Sequence, residues 1–376
     1  MRVFCRVMTA RHNIFIVILS LAILAAARPI AVIAQPQQNQ TQSSGTDVAS
    51  LKAQAAAGEA KAQVQLARAY EKGDGVPQDG REAFNWYLKA ADQGDAFAQN
   101  RLGELYRGGE GVQQNKAEAV RWYCKAARQG NADAMCNLGV ALYNGDGVYV
   151  SDSLSYAWFL LANEAGCERA PEAVRRAETE ISPLKITKAY SQIAGMYHKA
   201  ECLPQNPAQE VRWLSKAAER GDDDAQFALA LALLDGKGVP QDVDEGQHWC
   251  KEVLKRNAMF GEYCKGHMYQ NGLGVSRDDA KARTWYVRAA EGQLTVAIRA
   301  LAAMEARGEG GKVDHVGACV QYGRLAAKGD KESLQAILNL KGQMTPGEWQ
   351  KALKVLASLR IDLNAIVAQG QQTARP

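Results

Sequence analysis

Ser182-Pro-Leu-Lys185 sets a hydroxyl three residues ahead of an amine. This is the S-x-x-K arrangement with which penicillin-recognising enzymes activate a serine nucleophile. That chemistry also needs S-D-N and K-T-G elements on an α/β scaffold, and neither string occurs. A serine before proline at a helix start is accounted for by N-capping. His248, Cys250, Cys264 and His267 carry the atoms of a four-ligand zinc site. Cys264 and His267 share a helix face at i, i+3, but His248 and Cys250 at i, i+2 do not. His198 and Cys202 straddle one helix end, and two ligands make a weak site. H-E-x-x-H is absent, and each G-x-G follows a helical pattern rather than a strand, which removes the dinucleotide-binding reading. No catalytic residue, metal or cofactor is expected.

Oxidative cross-linking is the chemistry with better support, and it depends on compartment. Residues 1–13 carry Arg2, Arg6 and Arg11 and no acid, residues 14–27 are apolar or small, and small residues recur up to Ala34. This pattern is that of a signal peptide over 1–34. An uncleaved anchor needs about 20 apolar residues, and Arg28 and Pro29 interrupt the run too early. The expected location is periplasmic or secreted, with no membrane contact beyond the leader. Loss of 1–34 removes four arginines and no acid, so 45 basic residues become 41 against 41 acidic ones. A neutral chain has no nucleic-acid footprint. Of eight cysteines, Cys5 leaves with the leader and seven remain. Cys124 and Cys136 lie either side of Gly130, and Cys250 and Cys264 either side of Asn257, each centre being the turn of a helix hairpin. At about 1.5 Å per residue, each pair sits at matched height on antiparallel helices. The alternatives are two bridges or free thiols packed as small hydrophobes. Cys167, Cys202 and Cys319 have no comparable placement.

The elements that position these residues repeat. "GDGVPQD" at 73 recurs as "GEGVQQN" at 109 and "GDGVYVS" at 145, then as "GKGVPQD" at 236, "GLGVSRD" at 272 and "GEGGKVD" at 308. Trp86, Trp122 and Trp158 are 36 apart, as are Trp213, Trp249 and Trp285. A fixed period in this range marks a solenoid. Apolar steps of three and four residues give helices, and "QG" or "RG" followed by Asp or Asn splits each unit into a pair. Each loop supplies a C-cap glycine and an N-cap: Asp79, Asn115, Ser151, Asp242, Asp278 or Asp314. Glu82, Glu118 and Glu245 are placed to complete capping boxes, as is Glu348 with Thr345. At 200–206 a seventh loop, "AECLPQN", has Ala200 and Cys202 where the glycines belong. Pro183 and Pro346 each open a helix 25 residues beyond a Trp slot, so two modules share one ending. The expected division is leader 1–34, disordered linker 35–50, modules 51–199 and 200–358, and a C-terminal tail 359–376.

The pattern A..WY.KAA.QG...A..NLG..Y..G.GV resembles the Sel1-like repeat, a relative of the tetratricopeptide repeat, over roughly 51–345. The resemblance implies an all-α, α/α superhelical solenoid whose first helices line a concave face that holds a protein or peptide partner. Some exported members resemble envelope regulators or assembly factors. Others are cysteine-rich and linked to penicillin binding, and a few bind host proteins. Cysteine-rich members carry their pair eight residues apart, unlike the spacings here. The expected function is therefore an exported, non-catalytic scaffold, with a cell-wall or β-lactam enzyme and a secreted host-protein binder as alternatives. Arg101, Glu104, Arg107 and Asn137, polar residues on first helices, are the candidate partner contacts. The Trp slot recurs with the period and not with any chemistry. Trp122→Ala should therefore cost about 3–5 kcal/mol as a core truncation, and an unchanged urea midpoint would remove Trp122 from the core.

Overall fold

A computed structural model describes residues 48–367. The expected leader, residues 35–47 of the linker and residues 368–376 of the tail lie outside the described residues. Among the described residues nineteen helical segments follow one another, the last a short one at 363–367, and no strand occurs. A short helix α1 (Val48–Ala56) precedes three pairs: α2 (Ala60–Lys72) with α3 (Gly80–Asp92), α4 (Ala96–Gly108) with α5 (Lys116–Arg128), and α6 (Ala132–Asn144) with α7 (Asp152–Glu164). Then come α8 (Ala170–Glu180) and α9 (Pro183–Lys199). The second array continues with α10 (Pro207–Glu219), α11 (Asp223–Asp235), α12 (Val243–Arg256), α13 (Ala258–Asn271) and α14 (Asp279–Glu291). It ends with α15 (Thr295–Arg307), α16 (His315–Ala326), α17 (Lys331–Lys341) and α18 (Pro346–Ser358). The fold is an all-α solenoid of tandem helix pairs.

Two ends of the chain are more ordered than the sequence suggests. Val48–Ser50, read as linker, start α1, because Leu51 and Ala55 form a stripe that packs on Ala62 and Leu66. Residues 363–367, read as tail, are helical, and Leu363 and Val367 are buried beside Leu356 of α18.

The caps follow the loop chemistry. Asp79, Asn115, Ser151, Asn206, Asp242, Asp278 and Asp314 each accept a backbone N–H of the following helix. The reciprocal half of the capping box is made at Thr345 and Glu348. Elsewhere the expected glutamates turn to side chains instead: Glu118 pairs with Arg121 at 3.0 Å, and Glu245 accepts the Trp249 indole N–H at 3.5 Å. The second glycine of each loop serves a different purpose. A Cβ on Gly111 would lie 2.0 Å from the Gly80 carbonyl oxygen, at the first residue of α3. The loop is thus seated on the preceding pair, and only glycine fits.

The Trp slots form the core. Trp122, Trp158 and Trp213 are buried, and Trp86, Trp249 and Trp285 are half-buried. Lysine ammonium groups lie over four of these rings, three of them from one turn later: Lys89 on Trp86 at 3.7 Å, Lys125 on Trp122 at 3.6 Å and Lys216 on Trp213 at 3.9 Å, with Lys265 on Trp285 at 4.3 Å. Such cation–π contacts explain why lysine accompanies tryptophan one turn later. One buried cluster runs from Ala119 through Ile193 and Leu203 to Leu233, so the core continues across residue 200.

That continuity comes from α9. It packs on α7, as α18 packs on α16, and it also pairs with α10 as the first helix of the second array. Its C-terminal end reaches back to α5. Cys202 forms a disulfide with Cys124, with Cα atoms 4.7 Å apart, and Arg128 donates to the Ala200 carbonyl at 2.7 Å. Ala200 and Cys202 keep the left-handed backbone of the missing glycines, with φ of 57° and 54°. For a non-glycine residue this conformation costs about 1–2 kcal/mol. A bridge closing 78 residues offsets that cost with about 4–5 kcal/mol of loop entropy. Cys202→Gly should therefore change sign with redox state. Without reductant the variant should be less stable than the wild type by about 3 kcal/mol, and with reductant more stable by about 1 kcal/mol. Chemical denaturation with and without dithiothreitol reads both, and the same ranking in both would refute this account of the loop.

Candidate functional site

Polar residues are buried where the first helices of successive pairs meet. Asn100 on α4 and Asn137 on α6 are each 4% exposed. Asn137 Nδ2 donates to Asn100 Oδ1 at 3.0 Å and to Glu104 Oε1 at 3.2 Å. Asn100 Nδ2 donates to the same Glu104 oxygen at 3.2 Å. Arg101 pairs with both Glu104 and Glu71 of α2. Glu71 Oε2 accepts the Tyr87 hydroxyl at 2.7 Å. From the other side, Arg169 donates to Asn137 Oδ1 at 3.2 Å and lies 3.8 Å from Asp133. A polar chain thus runs from α2 across α4 and α6 to the start of α8.

Burial sets the electrostatics of the two tyrosines beneath this chain. Desolvation pushes the Tyr87 hydroxyl up to about 12, with Arg68 opposing. The Tyr123 hydroxyl is also pushed up to about 12 by burial, and Arg107 is the charge that opposes most. Both phenols stay protonated near neutral pH; Tyr87 donates to Glu71, and Tyr123 makes no hydrogen bond among the described residues.

The structure therefore brings Arg101, Glu104 and Asn137 into one network, while exposed Arg107 stands outside it at the last turn of α4. Sequence periodicity missed Glu71, Asn100 and Arg169. A signal existed for Asn100, because its slot is Val64 and Cys136 in the neighbouring repeats. An amide at an apolar position must find buried partners.

The cysteine pairings need correction. Cys124 bonds to Cys202 and not to Cys136. Matched height did not give matched faces: Cys124 points to the back of α7, where α9 ends, whereas Cys136 points into the core beside Cys167. Burial, reinforced by Cys167, pushes the Cys136 thiol up to about 12. Cys250 and Cys264 are free, and the Cys264 thiol is raised by its hydrogen bond to Cys250 and by burial. Such thiols are poor nucleophiles.

The other arrangements are structural. Ser182 caps α9 by accepting Lys185 N–H at 3.4 Å, and the Lys185 ammonium is paired with Asp152. His267 Nε2 is 2.6 Å from Asp235, and His198 Nδ1 is 3.0 Å from Glu210. Among the described residues no group of three His, Cys, Asp or Glu could hold a metal ion, and no helix is long and apolar enough to cross a membrane. Beside Asn137, a cavity of about 470 Å³ lies between α6, α7 and α8, floored by Val140, Phe159, Ala173 and Ala177 and rimmed by Arg169 and Arg176.

The Sel1 repeat pattern matches residues 60–95, 96–131, 132–167, 187–222, 223–252 and 263–294, more than half of the chain. The chain belongs to the Sel1 repeat family. Sel1 repeat proteins are generally protein-interaction scaffolds without catalysis. This Sel1 repeat chain is similar to a chitin synthase regulator of Malassezia restricta, 31% identical over 131 residues, 34% of this chain and 9% of that protein. It is also similar to a chitin synthase regulatory factor of Schizosaccharomyces pombe, 30% identical over 24% of this chain and 10% of that protein. The chain spans about a tenth of the length of these two relatives. An uncharacterized protein of Neisseria meningitidis is 34% identical over 24% of this chain and 19% of its own. A solved protective antigen of uropathogenic Escherichia coli with an SLR fold is 26% identical, covering 88% of this chain and 75% of that one, with a TM-score of 0.37.

In the Sel1 array the asparagine pair is the joint of the network. Removing the Asn137 amide leaves the buried Asn100 carbonyl oxygen without a donor, at about 1–3 kcal/mol. Asn137→Ala should lower unfolding free energy by that amount in urea titrations, and an unchanged midpoint would show that the network contributes nothing to the fold.

Proposed function

We propose that this Sel1 repeat protein is an exported, non-catalytic scaffold that holds a protein or peptide partner on its first-helix face, in the assembly or regulation of the cell envelope. The observation that carries this reading is the chain from Glu71 to Arg169, in which buried amides hold part-exposed carboxylates and guanidinium groups across α2, α4, α6 and α8. It is a preorganised polar surface that no single hairpin supplies, as expected where neighbours in a repeat array jointly build a binding face. The Cys124–Cys202 disulfide favours export, because such bridges persist in oxidising compartments. The names of the two fungal relatives, a chitin synthase regulator and a chitin synthase regulatory factor, are in keeping with a regulatory scaffold.

The test is crosslinking of the cell-envelope fraction with the tagged protein as bait. Arg169 contacts Asn137, and its side chain is 59% exposed. Arg169→Glu should cut recovery of the crosslinked partner at least tenfold while circular dichroism stays unchanged. Undiminished recovery would remove this face from the contact. Ser182→Ala should cost only about 1 kcal/mol of cap stability, whereas a β-lactamase or peptidoglycan-hydrolase activity lost in that variant would make the chain an enzyme.

A further inference from the structure

The residue after tryptophan is Tyr87, Tyr123, Phe159 and Tyr286 in four of the pairs. Each ring is buried against the first helix of its pair, and sixteen residues earlier stands the side chain that faces its para position. Tyr87 donates to Glu71 at 2.7 Å, and Tyr286 donates to the Gln270 amide oxygen at 2.9 Å. In the third pair position 143 is tyrosine and the slot is Phe159, so no acceptor is needed. The second pair breaks the rule. Tyr123 is 1% exposed, its hydroxyl has no hydrogen-bond partner, and position 107 is arginine.

Arginine has five donors and no lone pair, so it cannot accept from a phenol. The neighbouring carboxylate is already committed: Glu104 accepts from Asn100, Asn137 and Arg101. The ring itself cannot retreat, since it lies on Gly103, where a Cβ would come 2.4 Å from Tyr123 Cε1. Arg107 is exposed and makes no side-chain hydrogen bond or ion pair among the described residues. A buried donor without an acceptor and an exposed cation without an ion pair therefore face one another, in a slot that elsewhere holds a carboxylate or an amide oxygen. The Asp146 carboxylate, which feels the charge of Arg107, is bonded to Lys116 at 2.7 Å.

We propose that a carboxylate of the partner fills this gap, accepting the Tyr123 hydroxyl and pairing with Arg107, and so completes in trans the contact that Glu71 makes within the chain. Arg107 is long and exposed, so it can turn onto the incoming group, and a guanidinium selects the charged acceptor over an amide. Around the same hydroxyl the negative charge of Glu104 is opposed by Arg107, Arg101 and Arg169. This inference rests on the reading of the first-helix face as the partner site and names the partner's chemistry there. An acidic side chain and a chain-terminal carboxylate present the same group.

The experiment uses three fluorescein-labelled decapeptides of glycine, serine, alanine and leucine, read by anisotropy on the purified chain. One has a free C-terminal carboxylate, one is amidated with a single glutamate, and one is amidated and neutral. At least one carboxylate peptide should bind tenfold or more tighter than the neutral one, and which of them does so identifies the source. Arg107→Gln recreates the Gln270–Tyr286 contact, so it should raise the thermal midpoint and abolish the preference for the carboxylate. Tyr123→Phe should weaken carboxylate binding about tenfold without lowering that midpoint. Equal binding of all three peptides, a preference that survives Arg107→Gln, or a midpoint that Arg107→Gln fails to raise would each overturn the proposal. If envelope crosslinking captures a partner that Arg107→Gln and Tyr123→Phe do not affect, the scaffold reading stands and this inference falls. If the peptides behave as expected and Arg169→Glu leaves capture unchanged, the reverse holds.

Discussion

The distance between one loop and the helix before it governs the whole array. In four loops the second glycine lies so close to the first residue of the preceding second helix that a Cβ would overlap backbone atoms, while at Gly75 and Gly274 it would meet the side chains of Val48 and Gln247. The approach is 2.0 Å for Gly111 on Gly80, 2.4 Å for Gly147 on Lys116 and 2.3 Å for Gly310 on Asp279. Because loop and helix start meet at fixed positions, the interval between them in sequence is fixed too. Tryptophan, alanine pairs and caps then recur at 36 because the contact recurs at 36. A solenoid is stable through contacts between neighbours, and here that contact leaves no room for a side chain.

Functional departures stand out against such a frame. Where all copies agree, a residue serves the stacking. Where one copy differs at a buried slot, something else must compensate. Asn100 replaces an apolar residue and is satisfied by Asn137 and Glu104. Arg107 replaces an acceptor and leaves Tyr123 without one. Cys202 replaces a docking glycine and reaches Cys124 instead. In the first and third cases the compensation lies within the chain. In the second it does not, and that difference is the ground for the contact proposed in trans.

The helices, their caps and the matched endings at Pro183 and Pro346 were legible in the sequence, because each rests on local periodicity and local hydrogen bonding. The disulfide was not. Its pairing depends on how α9 crosses α7 to reach α5, a distance of 78 residues that no period encodes. The hairpin argument for Cys124 and Cys136 used height along the helices and lacked the rotation of each helix about its axis. The site was half legible. Arg101, Glu104 and Asn137 could be chosen as polar residues on first helices, but Glu71 and Arg169 join them only through contacts between repeats. Arg107 reads in the sequence as one more polar residue on a first helix, and only the structure shows it opposite a tyrosine hydroxyl without an acceptor.

The covalent bond and the polar network sit on different helix sets. The bond ties the end of α9 to α5, while the network runs through α2, α4, α6 and α8. Helix α7 separates them, since α8 packs on it and α9 packs on it. Reduction would release the backbone at Ala200 and Cys202, where the strain is held, and would leave every hydrogen bond of the network in place. Stability of the junction and shape of the first-helix face are therefore set by independent interactions. The array thus carries a cross-link at its junction that draws on no group of the polar network.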